Sequence, residues 1–307
     1  MDQARLPAPL TGIIPPLVTP LRGADELDVL GFDRLIEHVL EGGVHGLFLL
    51  GTTGEGPGLS QRLRAEVIDA ACRRVAGRVP VLVGVTDPSF AETLRLARRA
   101  TAAGAQAVVL APPYYFPLDQ PELKGYVERV AGAVALPVFL YHLPSFTKVP
   151  FEPETVARLL EIPNVVGLKD SGGDLGYLHA VSQLAASRPD FTVLVGPEEM
   201  LAEAIALGAH GGICGGANLA PRVFVDLYYA ARSGDVARVR ELHAKVLRIG
   251  ATIYSLGSGS AGVIQGLKCA LSLLGICDDF VAEPFCRLEG SKRDRVRAAL
   301  DELDLLT

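Results

Sequence analysis

Short apolar runs alternate with longer amphipathic ones eight times in succession along this 307-residue chain. The apolar runs fall at 12–18, 46–50, 80–85, 106–111, 137–141, 165–169, 192–196 and 210–214. Runs this short, bounded by turn residues, read as buried strands. Between them lie patterns of helical period at about 28–40, 60–77, 88–103, 120–134, 153–160, 174–187, 198–207 and 221–233. In 88–103, Phe90, Leu94, Leu96, Ala97 and Ala100 trace one side while Arg95, Arg98 and Arg99 face water. The punctuation agrees: Asp87 before Pro88 predicts an N-cap, Ser60 another, and Gly104 and Gly234 predict left-handed helix ends.

Eight β-then-α units predict an α/β fold, a parallel sheet closed into a (β/α)8 barrel of about 250 residues. The barrel is expected to take up 1–234. The remainder, 235–307, is expected to form a C-terminal helical extension packed on it, with helices near 235–254, 261–275 and 291–304. An open doubly wound sheet is the alternative. It usually carries a glycine-rich phosphate loop after its first strand, whereas here that strand runs into Pro16-Leu17-Val18-Thr19-Pro20.

Composition narrows the function. A net charge of −6 argues against a nucleic-acid binder, which needs a basic face. Five cysteines, odd in number and without a CxxC, read as reduced thiols. The six histidines are scattered, with no HxH or HExxH, so no metal site is expected. Residues 1–10 lack a basic start followed by an apolar core, and no apolar run nears the roughly 20 residues that span a bilayer. A cytoplasmic protein that contacts neither membrane nor nucleic acid is expected.

In a (β/α)8 barrel the site sits at the C-terminal strand ends. The sixth run ends Asn164-Val165-Val166-Gly167-Leu168-Lys169, followed by Asp170-Ser171-Gly172-Gly173-Asp174. A lysine at a strand end is partly desolvated, which favours the neutral amine that attacks ketones. The plainer alternative is a lysine that reaches back to water. After the second run, Gly51-Thr52-Thr53-Gly54-Glu55-Gly56-Pro57 offers two hydroxyls and several N–H groups to a small anion, or is an ordinary turn. The fifth run ends at Tyr141, placed either to relay protons over the barrel mouth or to fill the core. Tyr114 and Tyr115 are adjacent in a proline-bounded loop, so both cannot readily point inward; packing or subunit contact suits them better. His142 is read as structural. The glycines of 211–216 leave room for phosphate but have no basic neighbour.

These residues together resemble the dihydrodipicolinate synthase and N-acetylneuraminate lyase family of pyruvate-dependent class I aldolases, across nearly the whole chain. The matching stretches are Gly51-Thr52-Thr53-Gly54-Glu55, Tyr114-Tyr115, Tyr141 with Pro144, Gly167-Leu168-Lys169-Asp170, Gly196, and Gly212-Ile213 with Ala217-Asn218. The resemblance implies a TIM barrel with a helical extension, assembled as a homotetramer of tight dimers and needing no cofactor. It implies Schiff-base formation by Lys169 and proton transfer by Tyr141, with Thr52 and the Tyr115 of a neighbouring subunit completing a relay. It also implies that Thr52 and Thr53 hold the substrate carboxylate, and that Gly196 and the backbone of Ile213 approach the bound pyruvyl group.

One departure bears on substrate. Where the dihydrodipicolinate synthase subgroup has an arginine five residues after the tyrosine, this chain has Phe146, and the usual asparagine after the tyrosine is His142. A phenyl ring cannot pair with a carboxylate as a guanidinium does. The stretch 51–60 and Ala111 through Pro117 are similar to the 2-keto-3-deoxygluconate aldolase branch. Lys169 through Asp174 resembles the 4-hydroxy-2-oxoglutarate aldolase branch. The expected activity is reversible cleavage of a 2-oxo acid, a 2-keto-3-deoxy sugar acid, to pyruvate and an aldehyde. The alternatives are condensation of pyruvate with aspartate semialdehyde, 4-hydroxy-2-oxoglutarate cleavage, and a non-catalytic barrel that binds a keto acid.

Overall fold

The computed structural model describes residues 5–306, the Ser260 side chain excepted. Of the stretch 1–10 read above, residues 1–4 lie outside the described residues, as does Thr307 at the end of the extension. Among the described residues, eight parallel strands form one sheet: β1 (Gly12–Ile13), β2 (Leu47–Leu49), β3 (Val81–Gly84), β4 (Ala107–Leu110), β5 (Val138–His142), β6 (Val165–Asp170), β7 (Thr192–Val195) and β8 (Gly211–Gly212). From β2 to β8 each pairs with the next, and β8 pairs with β1. The ring closes where Pro16 bridges Phe48, with Leu17 N donating to Phe48 O at 2.9 Å and Phe48 N to Pro15 O at 3.0 Å. The fold is the expected α/β barrel. Its first strand is shorter than 12–18 because Pro15 and Pro16 have no N–H for the ladder.

Alternation along the strands divides the core in two. Leu82, Val109, Phe139 and Leu194 fill the barrel interior, while their neighbours Val83, Leu110, Leu140 and Val195 face the surrounding helices. Those helices are α1 (Val29–Glu41), α2 (Gln61–Val75), α3 (Phe90–Ala103), α4 (Gln120–Ala133), α5 (Pro153–Leu159), α6 (Leu175–Ala185), α7 (Leu201–Ala206) and α8 (Pro221–Ser233). Ser60 caps α2, accepting from Leu63 N at 3.1 Å, and Gly104 and Gly234 end α3 and α8 in the left-handed conformation. Asp87 does not cap α3, which starts after Ser89. Its Oδ1 accepts from Ser89 N at 2.9 Å, ahead of the helix, and its Oδ2 pairs with the buried Arg64 at 2.9 Å.

Three further helices, α9 (Val236–Thr252), α10 (Gly262–Leu273) and α11 (Gly290–Glu302), follow the barrel. The segment between α10 and α11 reaches the barrel mouth, where Ala282, Pro284 and Phe285 become pocket walls. No helix of the described residues is long and apolar enough to cross a membrane.

Candidate active site

The register of β5 against β6 sets the centre of the site. Val138 faces Val165, but Phe139 faces Gly167, so Val166 is an extra residue: a β-bulge. Val165 and Leu168 both face the outer helices, so the bulge turns Gly167 and Lys169 inward. Without it, strict alternation from Val165 would aim Lys169 at the helices. Gly167 is required at the bulge, because a Cβ there would overlap the Phe139 ring and lie 2.8 Å from Thr192 O. Lys169 consequently faces Tyr141 across the strand pair. Each strand runs one residue beyond these side chains, to Asp170 and His142.

Lys169 is only 4% exposed, with Nζ 4.0 Å from the centroid of the Tyr141 ring and 5.0 Å from that of Phe48. Both rings offer their negative faces to the amine. Burial alone would push the Tyr141 phenol up. The charge of Lys169 and hydrogen bonds with Thr52, Lys169 and Ser171 outweigh it, so the phenol is more acidic than usual. Thr52 Oγ1 lies 3.3 Å from the Tyr141 hydroxyl. An acidified phenol beside a buried amine can take up and return a proton at that amine or at a carbon bonded to it.

The loop that carries Thr52 and Thr53 is tightly folded. Leu50 and Glu55 both take left-handed backbone, at φ 57°. Gly84 passes so close that a Cβ would lie 2.5 Å from Leu50 O, and Gly56 crowds the same carbonyl. Thr19 Oγ1 donates to Gly54 O at 2.7 Å. Thr52 lines the pocket and Thr53 is half-buried beside it. Glu55, which sequence reading used only as part of a motif, turns its side chain into the C-terminal extension. Its Oε1 accepts from Ala282 N at 2.7 Å, and its carboxylate pairs with the fully buried Lys268 of α10. Burial pulls the Lys268 ammonium down, and Glu55 opposes that shift. A signal for this pair existed only as a lysine within an apolar helix.

Above these residues opens a pocket of about 380 Å³. Tyr141, Phe48 and Thr52 line it from the strand ends, and Tyr114 from the loop after β4. Leu143 and Phe146 form one wall, and Ile264, Pro284 and Phe285 another. Lys169 is not on the wall; the two rings that its Nζ faces are. The nearby Arg64 is engaged by Asp87 and by Leu59 O at 3.0 Å, so it is not free for a ligand. Tyr115 points away and is 74% exposed, edge-on to Phe116 at 5.0 Å. Within one chain, therefore, Tyr114 and not Tyr115 reaches the pocket.

Gly196 and Ile213 sit at the ends of β7 and β8. Gly196 N donates to Asp170 O at 2.6 Å, and a side chain there would collide with the Ser171 hydroxyl. Ile213 is buried in the barrel interior, its N donating to Val195 O at 2.8 Å. The glycine turn after β8 is unsuited to phosphate, since Gly216 N donates to Glu198 Oε2 at 2.8 Å. Tyr254 donates to the other oxygen of Glu198 at 2.8 Å, and burial pushes that carboxyl up to about 7. His142 stacks on Tyr177 at 4.0 Å and its Nδ1 accepts from Phe151 N at 3.1 Å. Burial lowers it to about 4, leaving a neutral structural ring. Among the described residues no group of three His, Cys, Asp or Glu side chains could hold a metal ion.

Known proteins share this fold and much of the sequence. The solved structure of dihydrodipicolinate synthase from Bacteroides thetaiotaomicron superposes with a TM-score of 0.94 and 52% identity, over 96% of this chain and 99% of that one. A DapA-like lyase of Halobacterium salinarum is 37% identical over 98% of this chain and 96% of its own length. A 4-hydroxy-tetrahydrodipicolinate synthase of Dechloromonas aromatica is 34% identical, over 97% of this chain and 99% of its own. A probable 2-dehydro-3-deoxy-D-pentonate aldolase of Escherichia coli is also 34% identical, over 96% and 98%. The model of the dihydrodipicolinate synthetase family matches residues 9–303. The chain thus belongs to the dihydrodipicolinate synthetase family and is one of its Schiff-base-forming carbon–carbon lyases.

Proposed function

We propose that Lys169 is the Schiff-base lysine and that the enzyme joins or separates pyruvate and an aldehyde. The observation that carries this reading is the buried amine of Lys169 facing the acidified phenol of Tyr141, with Thr52 in contact. The Lys169 ammonium passes a proton to the Tyr141 phenolate, the freed amine attacks C2 of a 2-oxo acid, and water leaves with that proton to give an iminium. Tyr141 takes the proton from the C4 hydroxyl as the C3–C4 bond breaks and the aldehyde departs. The enamine is protonated at C3, and water releases pyruvate and restores the amine. The iminium is the electron sink, so one difficult cleavage becomes several easier steps. Thr52 and Thr53 hold the keto acid's carboxylate, Gly196 and Ile213 border its pyruvyl group, and Tyr115 serves a neighbouring subunit's site in a dimer of dimers.

Borohydride reduction in the presence of pyruvate, followed by peptide mapping, tests this. The expected result is an adduct on Lys169 alone. An unmodified Lys169 would favour a barrel that binds keto acids without catalysis.

Two acceptors compete. The comparisons favour aspartate semialdehyde, because more of the similar proteins carry the 4-hydroxy-tetrahydrodipicolinate synthase name than the aldolase name. The pocket favours an uncharged aldehyde, released from a 2-keto-3-deoxy sugar acid. Its wall holds Phe146, Glu55 and Glu283, and Arg64 is already paired. The carboxylate of aspartate semialdehyde would find no free cation on that wall. The ratio of kcat/KM for the two aldehydes decides between them.

A further inference from the structure

The Glu55–Lys268 pair joins two walls of the pocket that are far apart in sequence. One wall is the loop after β2, where Gly51, Thr52 and Glu55 line the space. The other is the segment between α10 and α11, where Ala282, Glu283, Pro284 and Phe285 line it. Glu55 reaches that second wall directly, by accepting from Ala282 N at 2.7 Å, and indirectly, by pairing with Lys268 of α10. Lys268 in turn donates to Phe280 O at 2.8 Å. The side chains of the pair are 2% and 0% exposed.

Stability alone does not call for such a pair. Removing two charges from water costs several kcal/mol, and apolar side chains of similar volume commonly serve as well or better. What an ion pair supplies that apolar packing does not is a fixed distance and direction. Glu55 is also held in left-handed backbone, φ 57°, which persists only where the surroundings over-determine it. Thr52 and Thr53 lie three and two residues before it, and Glu55 N donates to Thr52 O at 3.0 Å, so the position of Glu55 sets the course of the loop that carries both hydroxyls.

We infer that Glu55 and Lys268 are positioning residues, which make the segment 280–285 of the C-terminal extension a working part of the keto-acid site. Loosening that segment loosens the Thr52–Thr53 loop, and a keto acid held by the loop tightens the segment in return. This reciprocity is a thermodynamic necessity for coupled sites. The inference rests on the reading of Thr52 and Thr53 as the carboxylate holders.

Hydrogen exchange of the intact wild-type protein tests it, with and without saturating pyruvate. Amides of 51–56 and of 280–285 are expected to gain protection together. Protection confined to 51–56 would overturn the coupling. The double variant E55Q/K268M gives a second test, since it removes both charges and leaves neither unpaired. The KM for pyruvate should rise by about tenfold and kcat should change by less than about threefold, the pattern of lost ground-state positioning. Rescue of KM by E55D, which keeps the charge, is expected in part. A folded double variant with unchanged KM would also overturn the inference. If that variant does not fold, the exchange result on the wild type decides. Borohydride trapping separates the two levels: no adduct in the wild type sinks the Schiff-base reading and the inference with it. An adduct formed without joint protection sinks the coupling alone.

Discussion

Lys169 and Tyr141 face each other across two paired strands, with the amine 4.0 Å from the centre of the phenol ring. The phenol is held below its ordinary pKa by that neighbour and by Thr52 and Ser171, in spite of burial. The pair is consequently sensitive to the loss of either member, in different ways.

Replacing Tyr141 by Phe keeps the ring against Lys169 and removes only the proton carrier. Turnover should fall by about 10²- to 10⁴-fold, the usual contribution of one general acid–base group. Borohydride trapping of pyruvate on Lys169 should survive, though more slowly. In K169M the adduct should vanish. Steady-state kinetics and mass mapping on the same preparations check both outcomes.

The bulge at Gly167 makes a structural prediction. An Ala there would press its methyl into the Phe139 ring and toward Thr192 O. Overpacking of this kind costs about 1–3 kcal/mol. G167A should therefore melt lower by several degrees and lose activity, because the strain falls where Lys169 is aimed. G167A/F139L, which clears space inside the barrel, should recover part of both.

The carboxyl of Glu198 gives a pH signature. Its folded value, about 7, lies above the ordinary 4.5, so the folded protein holds that proton more tightly than the unfolded chain. Stability should accordingly decline as pH rises from about 4.5 through about 7, then level off. In E198Q the amide can accept from Gly216 N and donate to Tyr254, and this decline should disappear. The variant should gain about 3 kcal/mol over the wild type at pH 8 and little at pH 4.5. Urea titrations at the two pH values measure the difference.

Phe146 is 45% exposed and lines the pocket. An arginine there would present an unpaired guanidinium to the acceptor. F146R should raise kcat/KM for aspartate semialdehyde over an uncharged aldehyde by about tenfold, the effect of one hydrogen bond to a charged group. An unchanged ratio would mean that this wall does not meet the acceptor.

The eight strands, their order and the helices between them were legible because each strand is a short apolar run and each helix a periodic one. Ser60, Gly104 and Gly234 mark helix ends by local chemistry, and they act where the sequence placed them. Asp87 misled, because its carboxylate divides between Ser89 N and a buried arginine 23 residues away, and the helix starts only after Ser89. Tyr114 and Tyr115 do not both point inward, as their adjacency implies, but that Tyr114 is the one at the pocket was not legible in a pair that reads as packing or subunit contact.

Sequence alone determined that a barrel would form and that a lysine, a tyrosine and a threonine would stand at its strand ends, since hydrophobic period and strand-end position are local properties. Only the tertiary structure decided which way the lysine points. Alternation is broken by one extra residue, Val166, and a bulge is visible only against the partner strand. Likewise only packing could reveal that Glu55 leaves its own loop to meet Lys268, far along the chain. A buried charge takes the partner that the fold brings to it, and no local pattern names that partner in advance.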